Sequence, residues 1–312
     1  MSTQTLSLVF PGQGSQTVGM GAELARAYPA ARAVFEEVDD ALGQKLSALM
    51  WEGPAEDLTL TANTQPALMA HSVAAFRALE AEGFGLAQVR SLAGHSLGEY
   101  AAHCVAGTLS LSDTARLLRI RGDAMQAAVP VGEGGMAAIL GLDLAKVEEV
   151  AREAGCEVAN DNAPGQVVIS GRAATVEAAC AAAKEAGAKR ALPLPVSAPF
   201  HCALMQPAAE AMRDALAEAT IGTPKRPVFA NVLAAHVSEG DVSDTLVRQV
   251  TGRVRWTETV RAMAGDGTDT FVELGTGKVL GGLIKRIEKG AATMNVGAPG
   301  DVAALRDVLS HG

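Results

Sequence analysis

Short uninterrupted apolar runs alternate with stretches whose apolar residues recur every three or four positions, the pattern of strands alternating with amphipathic helices. Residues 6–10 read as a strand running straight into Pro11-Gly12-Gln13-Gly14-Ser15-Gln16. That tight loop lies at a strand's C-terminal end, where α/β sheets make their ligand contacts. Helical patterns follow at 20–27 and 30–42. A longer helix begins near Thr64, with Pro66 in its first turn and Leu68, Met69, Val73, Phe76 and Leu79 on one face. Residues 89–93 are a short buried strand, and 98–106 an almost uncharged helix that Gly107 can end in a left-handed conformation.

From Gly135 the pattern changes. Strands at 136–140, 157–160, 166–170 and 189–194 interleave with helices at 144–154 and 175–186, with 161–165 read as a loop. The order βαββαβ is that of a ferredoxin-like module. Pro193, Pro195 and Pro199 mark the return crossing, and the helix 203–219 tolerates Pro207 only near its first turn. A strand at 228–232, a helix end at 245–250, a helix at 256–264 and a strand at 271–274 follow. The last strand enters Gly275-Thr276-Gly277-Lys278 and a further helix. The expected fold class is α/β: a large α/β-hydrolase-like subdomain with a mostly parallel sheet (1–130 and 198–312), plus an inserted ferredoxin-like subdomain (131–197).

Composition narrows the partners. With 312 residues and 48% apolar content the chain can bury a large core, but aromatics are only 4%, so Ala, Val, Leu and Met must build it. A formal charge of −9 argues against a nucleic-acid partner. Cys104, Cys156, Cys180 and Cys202 are scattered without metal-ligand spacing and read as free thiols. No stretch reads as a membrane span or signal peptide, and a cytoplasmic location is expected.

Two features carry chemistry. Gly94-His95-Ser96-Leu97-Gly98 joins the strand at 89–93 to a helix, the pattern of an elbow that pushes one serine hydroxyl outward at a helix N-terminus. Ser96 is therefore the candidate nucleophile. Arg121 lies on the apolar face defined by Leu117, Leu118, Ala124 and Met125, with no acid three or four residues away. A guanidinium there needs an anion, either a distant structural carboxylate or a ligand's. A serine nucleophile also needs a base. Among six histidines, His95 adjoins Ser96 but should point away from it, and His201 sits at the mouth of the domain crossing.

Phe10-Pro11-Gly12-Gln13-Gly14-Ser15-Gln16, Gly94 to Ala102, Arg121-Gly122, Asn162 to Gly171 and Phe200-His201 resemble, in order, the motifs of malonyl-CoA:acyl carrier protein transacylases. The resemblance implies Ser96 as the acylated nucleophile, His201 as base and acid, and Arg121 as the clamp for the malonyl carboxylate. It also implies an oxyanion hole from the Gln13 and Leu97 amides and a histidine oriented by the main-chain carbonyl of Gln249. Asn162 and His95 would be supporting residues, and Phe200 fits malonyl-selective members. No metal or resident cofactor is implied: CoA enters as a thioester and phosphopantetheine rides on the carrier protein. An acidic carrier would need a basic docking patch, for which Lys189, Arg190, Lys278, Lys285, Arg286 and Lys289 are candidates. The alternatives are a serine esterase or thioesterase built on the same elbow, an acyltransferase of polyketide synthesis, and a non-catalytic carrier-binding module.

Overall fold

The computed structural model describes residues 5–311. Ten strands form two sheets: β1 (Leu6–Phe10), β2 (Val89–Gly94), β3 (Gly134–Leu140), β4 (Glu157–Ala163), β5 (Gln166–Arg172), β6 (Arg190–Pro193), β7 (Val228–Ala230), β8 (Ala235–His236), β9 (Thr270–Leu274) and β10 (Ala292–Val296). The larger sheet has the order β10-β9-β1-β2-β7-β8 and is parallel except for the β7–β8 edge. The smaller has the order β4-β5-β3-β6 and is antiparallel throughout. The chain is thus an α/β protein with one mixed, mostly parallel sheet and one antiparallel sheet.

β1 is buried along its whole length because helices cover both faces of the large sheet, so it reads as a run rather than an alternation. Leu6, Leu8 and Phe10 turn to the main core, beneath the helices Pro29–Leu42, Thr61–Ala81 and Leu111–Ala127. Val9 turns to a second core with Trp256, Val260 and Ile284. Ser7, the polar residue in the run, is hydrogen-bonded to Ser91 (2.9 Å) and Thr268 (2.8 Å), which satisfies its hydroxyl inside the sheet.

The small sheet also has two faces. Ala137, Ile139, Val167 and Ile169 pack under the helices Leu144–Ala154 and Ala173–Glu185, while Met136, Ala159 and Val168 join the main core of the large unit. All four cysteines are buried free thiols. Among the described residues no helix is long and apolar enough to cross a membrane.

Three expectations change. The long helix spans Thr61–Ala81, so Pro66 lies inside it rather than in its first turn. The helix tolerates the missing hydrogen bond because it is buried on nearly every side, not on one face, and packing carries it. Residues 161–163 are strand, not loop. β4 continues with irregular register through Asp161 and Asn162 because the large unit pairs with it, through Val254 N–H to Ala159 C=O (2.8 Å) and Asp161 N–H to Val254 C=O (3.0 Å). The third change is at the C-terminus, where β10 and the helix Pro299–His311 extend the chain beyond the elements read from sequence.

Candidate active site

The elbow is set by two glycines at the end of β2. A Cβ on Gly94 would lie 1.8 Å from the Gly98 carbonyl carbon, and one on Gly98 would lie 2.2 Å from the Phe10 carbonyl oxygen. Only glycine allows strand, turn and the helix Gly98–Ala106 to approach that closely. Between them Ser96 takes φ 53°, a left-handed conformation that a side-chain-bearing residue adopts at a cost. Its Oγ lies 2.8 Å from His201 Nε2.

His201 arrives from the crossing that leaves the small sheet, also with positive φ, 57°. Its Nδ1 faces two carbonyl oxygens, Gln249 at 3.0 Å and Gly252 at 3.1 Å. Carbonyls only accept, so the ring proton sits on Nδ1 and the Nε2 lone pair accepts the Ser96 O–H. Among the described residues no carboxylate orients this imidazole. Burial first, and the Arg121 cation second, lower its pKa from 6.5 to about 3, so the ring is neutral and ready to take a proton at neutral pH.

Arg121 is 1% exposed on the helix Leu111–Ala127. Nη1 donates to Gln65 Oε1 (2.7 Å), and Nη2 donates to Gln249 Oε1 (2.9 Å) and Ser96 Oγ (3.2 Å). The guanidinium also stands over the Tyr100 ring, 5.7 Å from its centroid. All its hydrogen-bond partners are neutral, and its Nε has none. Among the described residues no carboxylate forms an ion pair with it, the partner a buried cation ordinarily requires. Glu99, fully buried, makes no ion pair with the cation; its charge acts on Arg121 through space, and its hydrogen-bonded link runs through Gln249, whose Nε2 donates to Glu99 Oε2 (2.8 Å). Burial pushes the Glu99 carboxyl up to about 7, against the hydrogen bonds that favour its ionised form.

Ser96 Oγ and the Arg121 guanidinium open on a cavity of about 340 Å³ lined also by Gln13, Leu97, Gln65, Met136, Asn160 and Phe200. The Ser96 amide is spent on Asn231 Oδ1 (2.8 Å), whereas among the described residues no hydrogen bond takes up the Gln13 or Leu97 amides. His95 lines the same cavity, but its Nε2 is held by Asn162 Oδ1 (2.8 Å) and its ring meets Trp256 edge-on. Its ring is thus bonded to Asn162 and not to Ser96, as a cross-brace from the elbow to β4.

The structure brings together Ser96, His201, Arg121, Gln249, Gln13, Leu97 and His95, with Asn162 one contact behind. Arg190 starts β6 with Lys189 just before it, while Lys278, Lys285 and Arg286 lie at and along the helix Val279–Ile287 and Lys289 just past it. Gln65, Asn160, Asn231 and Glu99 were missed as site residues. A buried amide within an apolar helix signals Gln65, a polar residue just past a strand's end signals Asn231, and Asn160 lies inside β4 with no such signal. Of the remaining histidines, His71 bonds the Gly297 carbonyl, His103 is buried without a hydrogen-bond partner among the described residues, His236 pairs with Asp266, and the His311 side chain lies outside the described residues.

The acyl transferase domain family matches residues 7–296. The malonyl CoA-acyl carrier protein transacylase of Escherichia coli (strain K12) is 48% identical over 307 residues, covering 97% of this chain and 99% of that protein. The crystal structure of an acyl-carrier-protein-S-malonyltransferase from Bartonella henselae superposes with a TM-score of 0.96 at 53% identity, covering 98% of this chain and 100% of that one. A malonyl-transacylase solved in complex with its type II PKS acyl-carrier protein superposes with a TM-score of 0.94 at 42% identity, covering 98% and 100%. The chain belongs to the acyl transferase domain family, among its malonyl-CoA:acyl carrier protein transacylases.

Proposed function

We propose that the protein moves the malonyl group of malonyl-CoA to the phosphopantetheine thiol of an acyl carrier protein through an ester on Ser96, supplying fatty-acid synthesis. The observation that carries this reading is Arg121, a buried cation whose hydrogen-bond partners are all neutral, 3.2 Å from the candidate nucleophile. A malonyl carboxylate supplies the missing anion, and the paired donors of the guanidinium match its two oxygens.

In the first half-reaction Ser96 Oγ attacks the thioester carbonyl while its proton passes to His201 Nε2. The tetrahedral oxyanion rests on the Gln13 and Leu97 amides, each contributing about 3 kcal/mol to barrier lowering. The C–S bond then breaks and CoA leaves as the thiol, with the proton from His201. In the second half the phosphopantetheine thiol gives its proton to His201, and its sulfur attacks the ester carbonyl. The C–Oγ bond breaks, and Ser96 recovers its proton. The Gln249 and Gly252 carbonyls keep Nε2 aimed at Ser96, and a carboxylate seated on Arg121 offsets the cation that lowers His201 basicity. Asn162 and His95 brace the elbow. These steps use no metal and no resident cofactor.

The large unit, 1–130 with 198–312, reads as an α/β-hydrolase-like subdomain. The small one, 131–197, reads as ferredoxin-like, a reading its strand order β4-β5-β3-β6 supports. The cleft between them limits the access of water to the ester. Lys189, Arg190, Lys278, Lys285, Arg286 and Lys289 form the docking side for an acidic carrier protein, and the reaction is placed in the cytoplasm. Arg286 already donates to Gln166 Oε1 and the Pro164 carbonyl, so Lys278→Glu with Lys285→Glu tests docking without breaking that brace. A raised KM for carrier protein is expected, and an unchanged one removes the patch.

Incubation with malonyl-CoA or acetyl-CoA, trapping and intact-mass measurement test the function. A malonyl adduct on Ser96, absent in Ser96→Ala and much weaker from acetyl-CoA, is the expected result. Steady hydrolysis without an adduct would instead mark a thioesterase.

A further inference from the structure

Ser96 sits in a strained conformation, and side chains hold both its peptide groups. Its N–H donates to Asn231 Oδ1 (2.8 Å), and its C=O accepts from Gln249 Nε2 (3.0 Å) beside the helix bond from Glu99 N–H. The same two residues hold the rest of the machinery. Asn231 Nδ2 ties the Gly94 carbonyl (2.6 Å), Gln249 Oε1 receives Arg121, and the Gln249 main-chain carbonyl receives His201 Nδ1.

One atom joins them. Glu99 Oε2 accepts from Gln249 Nε2 (2.8 Å) and from the Asn231 N–H (2.9 Å). Glu99 is fully buried, its Oε1 has no partner, and it does not line the cavity. Burying a carboxyl with one oxygen unsatisfied is unfavourable, and α-helical residues at this depth are ordinarily apolar. A side-chain amide can also sit either way round. The orientation of Gln249, nitrogen toward two acceptors and oxygen toward Arg121, is shared by three partners, and Glu99 adds to it the acceptor that also holds the Asn231 N–H.

We propose that Glu99 is a positioning residue: through Gln249 and Asn231 it fixes the strained posture of Ser96 and the carbonyl that aims His201. It touches neither substrate nor reacting atoms. The required property is an acceptor oxygen at Oε2, which the ionised and protonated carboxyl both provide, so Glu99→Gln preserves the function and Glu99→Ala removes it. The proposal rests on Ser96 and His201 as the reacting pair but not on malonyl as the acyl group.

Phenylmethanesulfonyl fluoride separates the two. Ser96 Oγ displaces fluoride from its sulfur, an O–S bond forms as S–F breaks, and the proton leaves through His201, with no demand on Arg121 or CoA. Labelling is followed by intact mass alongside malonyl transfer, with far-UV circular dichroism checking the fold. For Glu99→Ala we expect the labelling rate and kcat for malonyl transfer to fall together, about 100-fold, with KM for malonyl-CoA within about threefold. Glu99→Gln should recover both to within about fivefold of wild type. Should Glu99→Ala not fold, Glu99→Leu fills the space without an acceptor and gives the same reading. A folded Glu99→Ala or Glu99→Leu protein labelled at the wild-type rate overturns the proposal, as does a Glu99→Gln protein as slow as either.

Discussion

The two sheets bury similar side chains and contribute differently to the site. The parallel sheet is covered on both faces, and its strand ends supply the elbow after β2, the Gln13 loop after β1 and Asn231 just beyond β7. The antiparallel sheet covers one face with its own helices and lays the other, through Met136, Ala159 and Val168, against the large unit. It lends the cavity Met136 and Asn160 as walls and contributes no reacting atom. Parallel strands end together at one edge, so their loops converge, whereas antiparallel strands end alternately at opposite edges. Chemistry is concentrated on one sheet and enclosure on the other.

Substitutions can break that division. Ser96→Ala should abolish transfer, by at least about 10⁴-fold in kcat, with the fold retained by circular dichroism; residual transfer well above that level would remove Ser96 as nucleophile. Arg121→Ala should lower kcat/KM for malonyl-CoA by about 100-fold or more, the loss of a buried charge-assisted pair. Acetyl-CoA should lose nothing, so the ratio of the two kcat/KM values is the measurement.

On the other sheet, Ile139→Ala in the helix-facing core should cost about 2–4 kcal/mol in a denaturant titration. Its kcat per folded molecule should stay within about twofold of wild type, because Ile139 faces away from the cavity. A larger loss of kcat would show that the small sheet's interior is coupled to the chemistry.

The subtlest expected effect is in pH. His201 is lowered from 6.5 to about 3, so the base remains neutral as pH falls through 6.5, and the acylation rate should stay nearly flat from pH 8 to pH 5. A limb near pH 6.5 in single-turnover acylation would contradict this. Stability behaves otherwise. The folded-state pKa values of His201 and His103, the latter about 4, lie below the unfolded value. Their contribution is therefore complete above about 6.5 and is lost progressively as pH falls from there to the folded values of about 4 and 3. Thermal melts across that window measure it.

Local patterns carried much of the fold. The run 6–10, the helix 144–154 and the βαββαβ order follow from periodicities that need no distant partner. Asp161 and Asn162 did not read as strand because their pairing partner, Val254, lies in the other unit. Pro66 did not read as mid-helix because all-round burial overrides local cost. Within the site, Arg121 was visible as a cation on an apolar face, while Gln65, Asn231 and Glu99 were not. A single buried polar residue has no period, and its meaning lies in what it bonds.

The sequence by itself determined that a strand must turn sharply at Gly94 and Gly98, that Ser96 rides on that turn, and that a guanidinium is buried nearby without a local anion. Only the tertiary structure decided which histidine meets the serine, 105 residues away at 2.8 Å, and that the Arg121 guanidinium is hydrogen-bonded by neutral amides rather than by a carboxylate. The physical reason is range. Turn geometry and burial periodicity act over a few residues, whereas those contacts are made when the chain crosses back from the small sheet and packs against the elbow.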